Sequence, residues 1–250
     1  MTVPASAARS RTASAVCLVL APLLLLVSTF LLEPYGEDPN AYMDALGAAP
    51  TVNMLGALAF LVGTLLFVPG LIAVIRFLRG PRGAVGQVGA GLVLTGALVN
   101  NWFWASVIEV EAAAPGRDRA AMLALFQGLE ASPWSLIGAV GFLGGIALGT
   151  ILLAVGVVLR RAAPVWAPVA LVLAVATTFV PLGTWGEAVT FALMTVGYTG
   201  IALAVARVPA EHWARWQSLG DRTGSRGDRA PTGPVPEAPL PSRPEGSASV

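Results

Sequence analysis

Long, nearly uninterrupted runs of apolar residues dominate the chain and predict membrane-spanning helices. A helix needs about 20 apolar residues to cross the hydrocarbon core of a bilayer. The stretches that reach or approach this length cover roughly residues 13–32, 54–75, 84–108, 134–159, 164–181 and 186–206. The sequence therefore predicts an all-α, polytopic membrane bundle of six transmembrane helices within residues 13–207. The fifth stretch is the shortest, and five spans with a re-entrant pair over 164–206 is the alternative.

Composition excludes a soluble globular enzyme and several kinds of site. Of the 250 residues, 56% are hydrophobic and 12% are charged. In soluble domains about 45–50% of the residues are apolar and about 25% are charged. So few charges cannot cover a water-facing surface. The single Cys and the single His exclude an internal disulfide and a cluster of Cys or His ligands around a metal ion. The net charge of +1 gives no indication of nucleic-acid binding, and no cofactor is expected.

Arginines mark one side of the predicted bundle. Eight of them precede the first span, lie in the turns after the second and fourth spans, or follow the sixth: Arg9, Arg11, Arg76, Arg79, Arg82, Arg160, Arg161 and Arg207. The remaining loops hold Arg117 and Arg119 among nine acidic residues. Because arginine is retained on the cytoplasmic side, the sequence predicts a multi-pass protein of the cell membrane with both termini in the cytoplasm.

The two ends of the chain predict different structures. Residues 1–12 are a short cytoplasmic segment, and the apolar run after them is too long for a typical signal peptide, whose core has about 7–15 residues. We therefore expect the first span to be retained. Residues 208–220 carry Trp213 and Trp216 and predict an interfacial helix. Residues 221–250 are rich in Pro, Gly and Ser, which predicts a disordered cytoplasmic tail.

Two parts of the chain resemble each other. Residues 55–63 read LGALAFLVG and residues 137–145 read IGAVGFLGG, with five of nine positions identical. Just upstream, LGAAP at 46–50 is similar to LEASP at 129–133. This pattern predicts repeated α-hairpins, each with a short outer amphipathic helix, a proline and a glycine-rich span.

The outer segments carry their own helix signals. The pair Asp38-Pro39 predicts a helix that is capped by Asp38 and has Pro39 as its first residue. In the second outer segment an apolar stripe recurs with helical spacing at Met122, Leu125, Phe126 and Leu129. We expect this second helix to lie flat at the interface or to fold over the mouth of the bundle. A simple connector that lies on the lipid is the plainer interpretation.

Glycines mark the expected contacts between helices. Gly56, Gly63 and Gly70 recur every seven residues in the second span, and Gly141, Gly145 and Gly149 recur every four in the fourth. Inside a membrane, helices associate where small residues let backbones approach closely. Packing within the chain is the favoured interpretation, and a homo-oligomer contact is the alternative.

The deepest strongly polar residues lie near the outer boundary. Asn100 and Asn101 stand there with Glu109, and Glu187 begins the sixth span at the same depth. These residues predict an outward-facing polar pocket that offers amides and a carboxylate. An aromatic belt with polar residues at the interface, including Trp102, explains the same pattern.

The combined pattern resembles a known type of protein. A Leu-x-Ala-Ala/Ser-Pro segment, a Gly-Ala-x-x-Phe-Leu-x-Gly span and an Arg-closed cytoplasmic turn occur over residues 38–160. This combination resembles uncharacterised multi-pass integral membrane proteins of high-GC Gram-positive bacteria. The resemblance implies no activity, ligand or site residue.

Three functions are compatible with the sequence. The first is a non-enzymatic scaffold, partner-binding or lipid-associated module, with membrane lipids and a protein partner or second copy as the expected partners. The second is a small-solute transporter or permease component that uses the predicted pocket near Asn100 and Glu187. The third is a lipid-modifying enzyme at the outer interface, which would need converging carboxylates or a metal site.

Overall fold

The computed structural model describes residues 5–34, 38–99, 116, 118–180 and 183–214, and within these ranges it contains no β-strand. The helices, in chain order, are α1 (Ala5–Leu31), α2 (Pro39–Ala48), α3 (Pro50–Phe77), α4 (Ala84–Val99), α5 (Arg119–Glu130), α6 (Pro133–Arg160), α7 (Trp166–Thr178) and α8 (Thr184–Ala206), with a short 3-10 helix at Pro81–Gly83. The predicted all-α class is confirmed.

Helix length and hydropathy give the described chain the character of a membrane protein. The helices long and apolar enough to cross a bilayer are Ser6–Leu31, Pro50–Phe77, Leu136–Arg160 and Thr184–Ala206. Helices α4 and α7 are equally apolar but shorter, with 16 and 13 residues. The part of the predicted third span beyond residue 99 lies outside the described residues. Four candidate membrane-spanning helices are therefore present, and two shorter apolar helices accompany them.

Six of the helices form a ring. In chain order, α1 packs on α3, α3 on α4, α4 on α6, α6 on α7, α7 on α8, and α8 packs back on α1. Helices α1 and α3 run in opposite directions, because Gly56 of α3 lies against Leu32 whereas Gly70 lies against Leu18. The ring core is apolar and includes the fully buried side chains of Leu18, Leu71 and Tyr198.

The pair α1–α3 meets through the predicted glycines. A Cβ on Gly63 would lie 2.9 Å from the carbonyl oxygen of Ala21. Gly56 and Gly70 face the same helix, with Cβ positions 2.9 Å from side-chain atoms of Leu32 and Leu18. The absence of a side chain at these three positions therefore lets the two helix backbones approach each other closely.

The pair α4–α6 meets through glycines on both helices. Gly149 lies against Gly89, and Gly145 lies against Gly96, where a Cβ would be 3.0 Å from the Gly96 Cα atom. Gly141 differs from this prediction, because it is exposed.

The two outer helices pack against each other. As predicted, Asp38 caps α2, with its side chain accepting a hydrogen bond from the Asn40 amide at 2.9 Å. Arg119 at the start of α5 lies 2.6 Å from the Asp44 carboxylate and donates to the Asn40 carbonyl at 2.6 Å. Met122 packs on the apolar face of α2. Helix α5 is therefore docked on α2.

The predicted apolar stripe of α5 matches this contact only in part. Leu123, which is outside the stripe, packs with Met122 on the buried residues Tyr42, Met43 and Leu46. Leu125, which is inside the stripe, is exposed. The side chains of Phe126 and Leu129 lie outside the described residues.

The described ends of the chain meet at one end of the ring. The Arg11 guanidinium donates to the Val208 carbonyl, and the Trp213 indole donates to the Ser10 hydroxyl at 3.0 Å. Residues 210–214 are helical, and Trp213 is buried rather than spread on the bundle surface. The remainder of the predicted interfacial helix, which includes Trp216, and the predicted tail lie outside the described residues.

Tyr198 gives a test of the ring core. Its ring packs edge-on against Phe67 with the centroids 5.3 Å apart, and its buried hydroxyl lies beside the buried hydroxyl of Thr150. Tyr198→Leu removes the ring contact, and we expect it to lower the free energy of unfolding by about 2 kcal/mol, measured as a lower melting midpoint in detergent. Tyr198→Phe keeps the ring contact and should lower the midpoint much less. An equal loss in the two variants would contradict the packing described.

Candidate functional site

The candidate site is a cavity at the end of the bundle where α3 and α6 finish and α4 begins. Arg79 and Arg82 lie in the turn between α3 and α4, and Arg160 and Arg161 lie at the end of α6. The cavity has a volume of about 810 Å³. Its lining consists of Arg79, Gly80, Arg82, Gly83, Leu159, Arg160 and Arg161. This volume is open at the protein surface rather than enclosed, so it can admit a charged group but does not bury a whole ligand.

Glycines and buried contacts fix the turn between α3 and α4. Gly80 has a φ angle of +117°, which a residue with a side chain rarely adopts. A Cβ on Gly83 would overlap the carbonyl group of Leu78, and the Gly83 amide donates to the Gly80 carbonyl at 2.9 Å. The Gln87 side chain also donates to the Ile75 carbonyl at 2.9 Å. The turn that carries two of the arginines is therefore held in one compact shape.

The end of α6 places an arginine in an unusual backbone conformation. Arg161 has a φ angle of +51°, in the left-handed region. Its amide donates to the Val158 carbonyl at 3.0 Å, and the Ala162 amide donates to the Val157 carbonyl at 3.0 Å. This pair of bonds is a Schellman motif, whose left-handed position is usually glycine. A residue with a side chain is less favourable than glycine at this position by about 1–2 kcal/mol. The backbone conformation therefore does not explain why an arginine stands here.

A hydrogen bond joins the two segments that form the cavity. The Arg160 guanidinium donates to the carbonyl oxygen of Arg79. Arg160 is partly buried, whereas Arg79, Arg82 and Arg161 are exposed. The bond therefore holds the α3–α4 turn against the end of α6, with the other three arginine side chains at the surface around it.

The cavity collects positive charge. Residues 45–108 contain no acidic side chain, and neither do residues 131–186, so both lining segments lack one. Among the described residues, no Asp or Glu pairs with the four lining arginines, and the ion pair between Arg119 and Asp44 lies with the outer helices. The field in the cavity is consequently positive, and an anion would be attracted to it.

A second, smaller cavity adjoins the first. It has a volume of about 330 Å³ and lies between the end of α3, the α6–α7 turn and the end of α8. Arg161 lines both cavities, and Arg207 lines the second. Arg161 therefore stands between two openings at the same end of the bundle.

The predicted outer polar pocket lies mostly outside the described residues. Asn100, Asn101 and Glu109 belong to the undescribed range 100–115. Glu187 is described; it lies in the first turn of α8 and is exposed. Next to it, the Trp185 ring contacts the Phe30 ring, with centroids 6.3 Å apart. The pocket stays a prediction.

Sequence reasoning used the arginines only as markers of orientation. It did not predict that residues about 80 positions apart would line one cavity, because no local period connects the α3–α4 turn to the end of α6. The adjacent pair Arg160 and Arg161, without the glycine that usually ends a helix, was the available signal. Among the described residues, no group of three His, Cys, Asp or Glu side chains is placed to hold a metal ion.

Comparison with known proteins does not assign this chain to a family. No family model matches it, and neither a curated protein nor a solved structure is significantly similar to it.

Proposed function

We propose that this chain is a six-span integral protein of the cell membrane that acts by binding lipid rather than by catalysis, with both termini in the cytoplasm. The observation that carries the proposal is the arginine-lined cavity at one end of a bundle whose outer surface is apolar. Leu136, Val140 and Leu98 are at least 60% exposed, which suits contact with acyl chains and not with water.

The two short helices are part of this proposal. At 1.5 Å per residue, α4 is about 24 Å long and α7 about 20 Å, against a hydrocarbon core of about 30 Å. The apolar sequence continues beyond α4, to residue 108. Each of these helices also packs between two neighbours in the ring, as a spanning helix would.

The proposed architecture is a series of repeated hairpins. Helices α3 and α6 both have 28 residues, begin with a proline that is separated by one or two residues from the end of a short outer helix, and carry arginine in the last turn. Gly63 and Gly145 occupy equivalent positions in the two similar segments, and each faces the apolar helix that precedes it in its own pair. Duplication of one hairpin accounts for both similarities.

The orientation can be tested with single cysteines, because Cys17 is the only native one. On a Cys17→Ser background, we expect Ala131→Cys and Val180→Cys to react with a membrane-impermeant maleimide in intact cells. Ala84→Cys should react only after permeabilisation. All three positions are exposed, so the difference reports the side of the membrane. Protection of residue 180 would contradict a spanning α7, and labelling of residue 84 in intact cells would contradict the orientation.

Lipid association can be tested on the full chain. Membranes that contain the protein are solubilised with a polymer that keeps the surrounding bilayer, and the phospholipids in the purified discs are compared with those of the whole membrane. We expect the lipids around this protein to differ in composition from those of the whole membrane, and the phospholipid species to be chemically unchanged by its expression. A bulk lipid composition, or a new modified lipid that appears on expression, would contradict the proposal.

A further inference from the structure

We propose that the cavity lined by Arg79, Arg82, Arg160 and Arg161 binds the phosphate group of an anionic phospholipid in the leaflet next to it. The inference deepens the proposed function and rests on the insertion of the bundle in a membrane. It names the ligand class and the residues that hold it, which the general lipid association does not.

The side chains in the cavity suit a phosphate. A guanidinium group presents its N–H donors in a planar fork that matches two phosphate oxygens, and such charge-assisted bonds are stronger than neutral ones. The cavity brings four of these groups together, and the lining segments contain no carboxylate to compensate them. Like charges collected in one place repel each other, so a bound anion removes an unfavourable interaction as well as adding favourable ones.

The surroundings of the cavity favour a lipid over a soluble phosphate. Leu159 lines the cavity and is 55% exposed, and Val158 beside it is 56% exposed. At the start of α4, across the turn, Val88 is 58% exposed. An apolar wall next to a positive opening, at the end of a membrane helix, matches a molecule with a charged headgroup and acyl chains.

The backbone at Arg161 supports a built site and not only a general excess of arginine on one side of a membrane. The excess of arginine that orients a membrane helix needs the charge to be somewhere in the cytoplasmic loop, at no particular position. Arg161 instead occupies the left-handed position where glycine would be less strained, and from there it lines both cavities. Strained backbone conformations of this kind cluster at ligand-binding sites.

The test is a lipid titration of the purified full chain in detergent, followed by native mass spectrometry. Phosphatidylglycerol and phosphatidylcholine with identical acyl chains are the two probes. We expect the wild-type protein to retain phosphatidylglycerol in preference to phosphatidylcholine. Arg82→Gln and Arg161→Gly should each weaken phosphatidylglycerol binding about fivefold, and the double variant about 25-fold, as expected for loss of one surface charge each. Arg161→Gly suits the left-handed backbone, so the helix end should stay folded.

The matched control removes the same number of positive charges, two, from other arginines at the same end of the molecule. Arg9→Gln combined with Arg76→Gln alters residues that line neither described cavity. This control should keep the phosphatidylglycerol preference within about twofold of wild type. An equal loss in the control and in the cavity variant would overturn the proposal, because it would mean that diffuse charge is responsible.

Two further arms separate the alternatives. Inorganic phosphate and glycerol 3-phosphate are added as competitors; displacement of the lipid by either at equal concentration would overturn the assignment to a lipid in favour of a soluble phosphate. The membrane insertion of every variant is measured in parallel by alkaline extraction. Inserted wild-type protein without headgroup preference would overturn this inference alone, whereas release of wild-type protein from the membrane would overturn the proposed function.

Discussion

Replacing Gly149 by Ala is expected to separate α4 from α6 and to lower the free energy of unfolding by about 3 kcal/mol, the upper part of the range for overpacking. A Cβ at this position would lie 2.7 Å from the Val93 amide nitrogen and 2.8 Å from the Gly89 carbonyl oxygen. Both are backbone atoms of α4, so a change of side-chain rotamer cannot relieve the clash. The α4–α6 contact is the most extensive in the ring, and the whole helix pair must move apart.

The same helix supplies the control for this variant. A Cβ on Gly144 meets no atom within 4 Å, so Gly144→Ala should leave stability unchanged or raise it by up to about 1 kcal/mol through helix propensity. Unfolding is followed by titration with a denaturing detergent, with circular dichroism as the signal. Equal stability of the two variants would mean that α4 and α6 do not approach each other as described.

Asn53→Leu is expected to lower the free energy of unfolding by about 2 kcal/mol. Asn53 is buried at the start of α3. Its side-chain oxygen accepts from the Glu33 amide at 2.8 Å, and its side-chain nitrogen donates to the Ala49 carbonyl at 3.1 Å. Leucine has similar size but makes neither bond, so the Glu33 N–H loses its partner, whereas the Ala49 carbonyl keeps the bond from the backbone amide of residue 53. The end of α1 would no longer be tied to the start of α3.

Asn40→Leu tests whether this loss is specific. Asn40 is exposed in α2, so the same substitution there should change stability by no more than about 0.5 kcal/mol. The two variants are compared in one detergent titration. If they lose equal stability, the Asn53 bridge does not contribute to holding α1 and α3 together.

Local signals in the sequence predicted the features that depend on one helix at a time. The cap at Asp38 needs only a carboxylate before the first helical residues, and the structure places it there. The all-helical class follows from apolar runs without strand-like alternation. Gly63 and Gly145 stood out because a small residue recurring on one helical face has few other uses in an apolar span.

Features that join distant segments could not be predicted in the same way. The pairing of Arg119 with Asp44 depends on where the two outer helices meet. Neither helix has a sequence pattern that indicates which other helix it packs against. The same holds for the cavity arginines, which come from the α3–α4 turn and the end of α6. Leu123 packs on α2 although it lies outside the apolar stripe that the sequence of α5 predicts. The face of α5 that is buried depends on the position of α2, which the sequence of α5 does not contain.

The contact between α1 and α8 has a consequence for biosynthesis. Helix α1 packs on α8, and the bonds from Arg11 to Val208 and from Trp213 to Ser10 join residues 197 and 203 positions apart. The surface of α1 that receives α8 therefore stays uncovered until residues 184–206 have left the ribosome. The ring closes only after α8 has been synthesised, and a chain terminated before residue 184 would present that uncovered surface to cellular quality control.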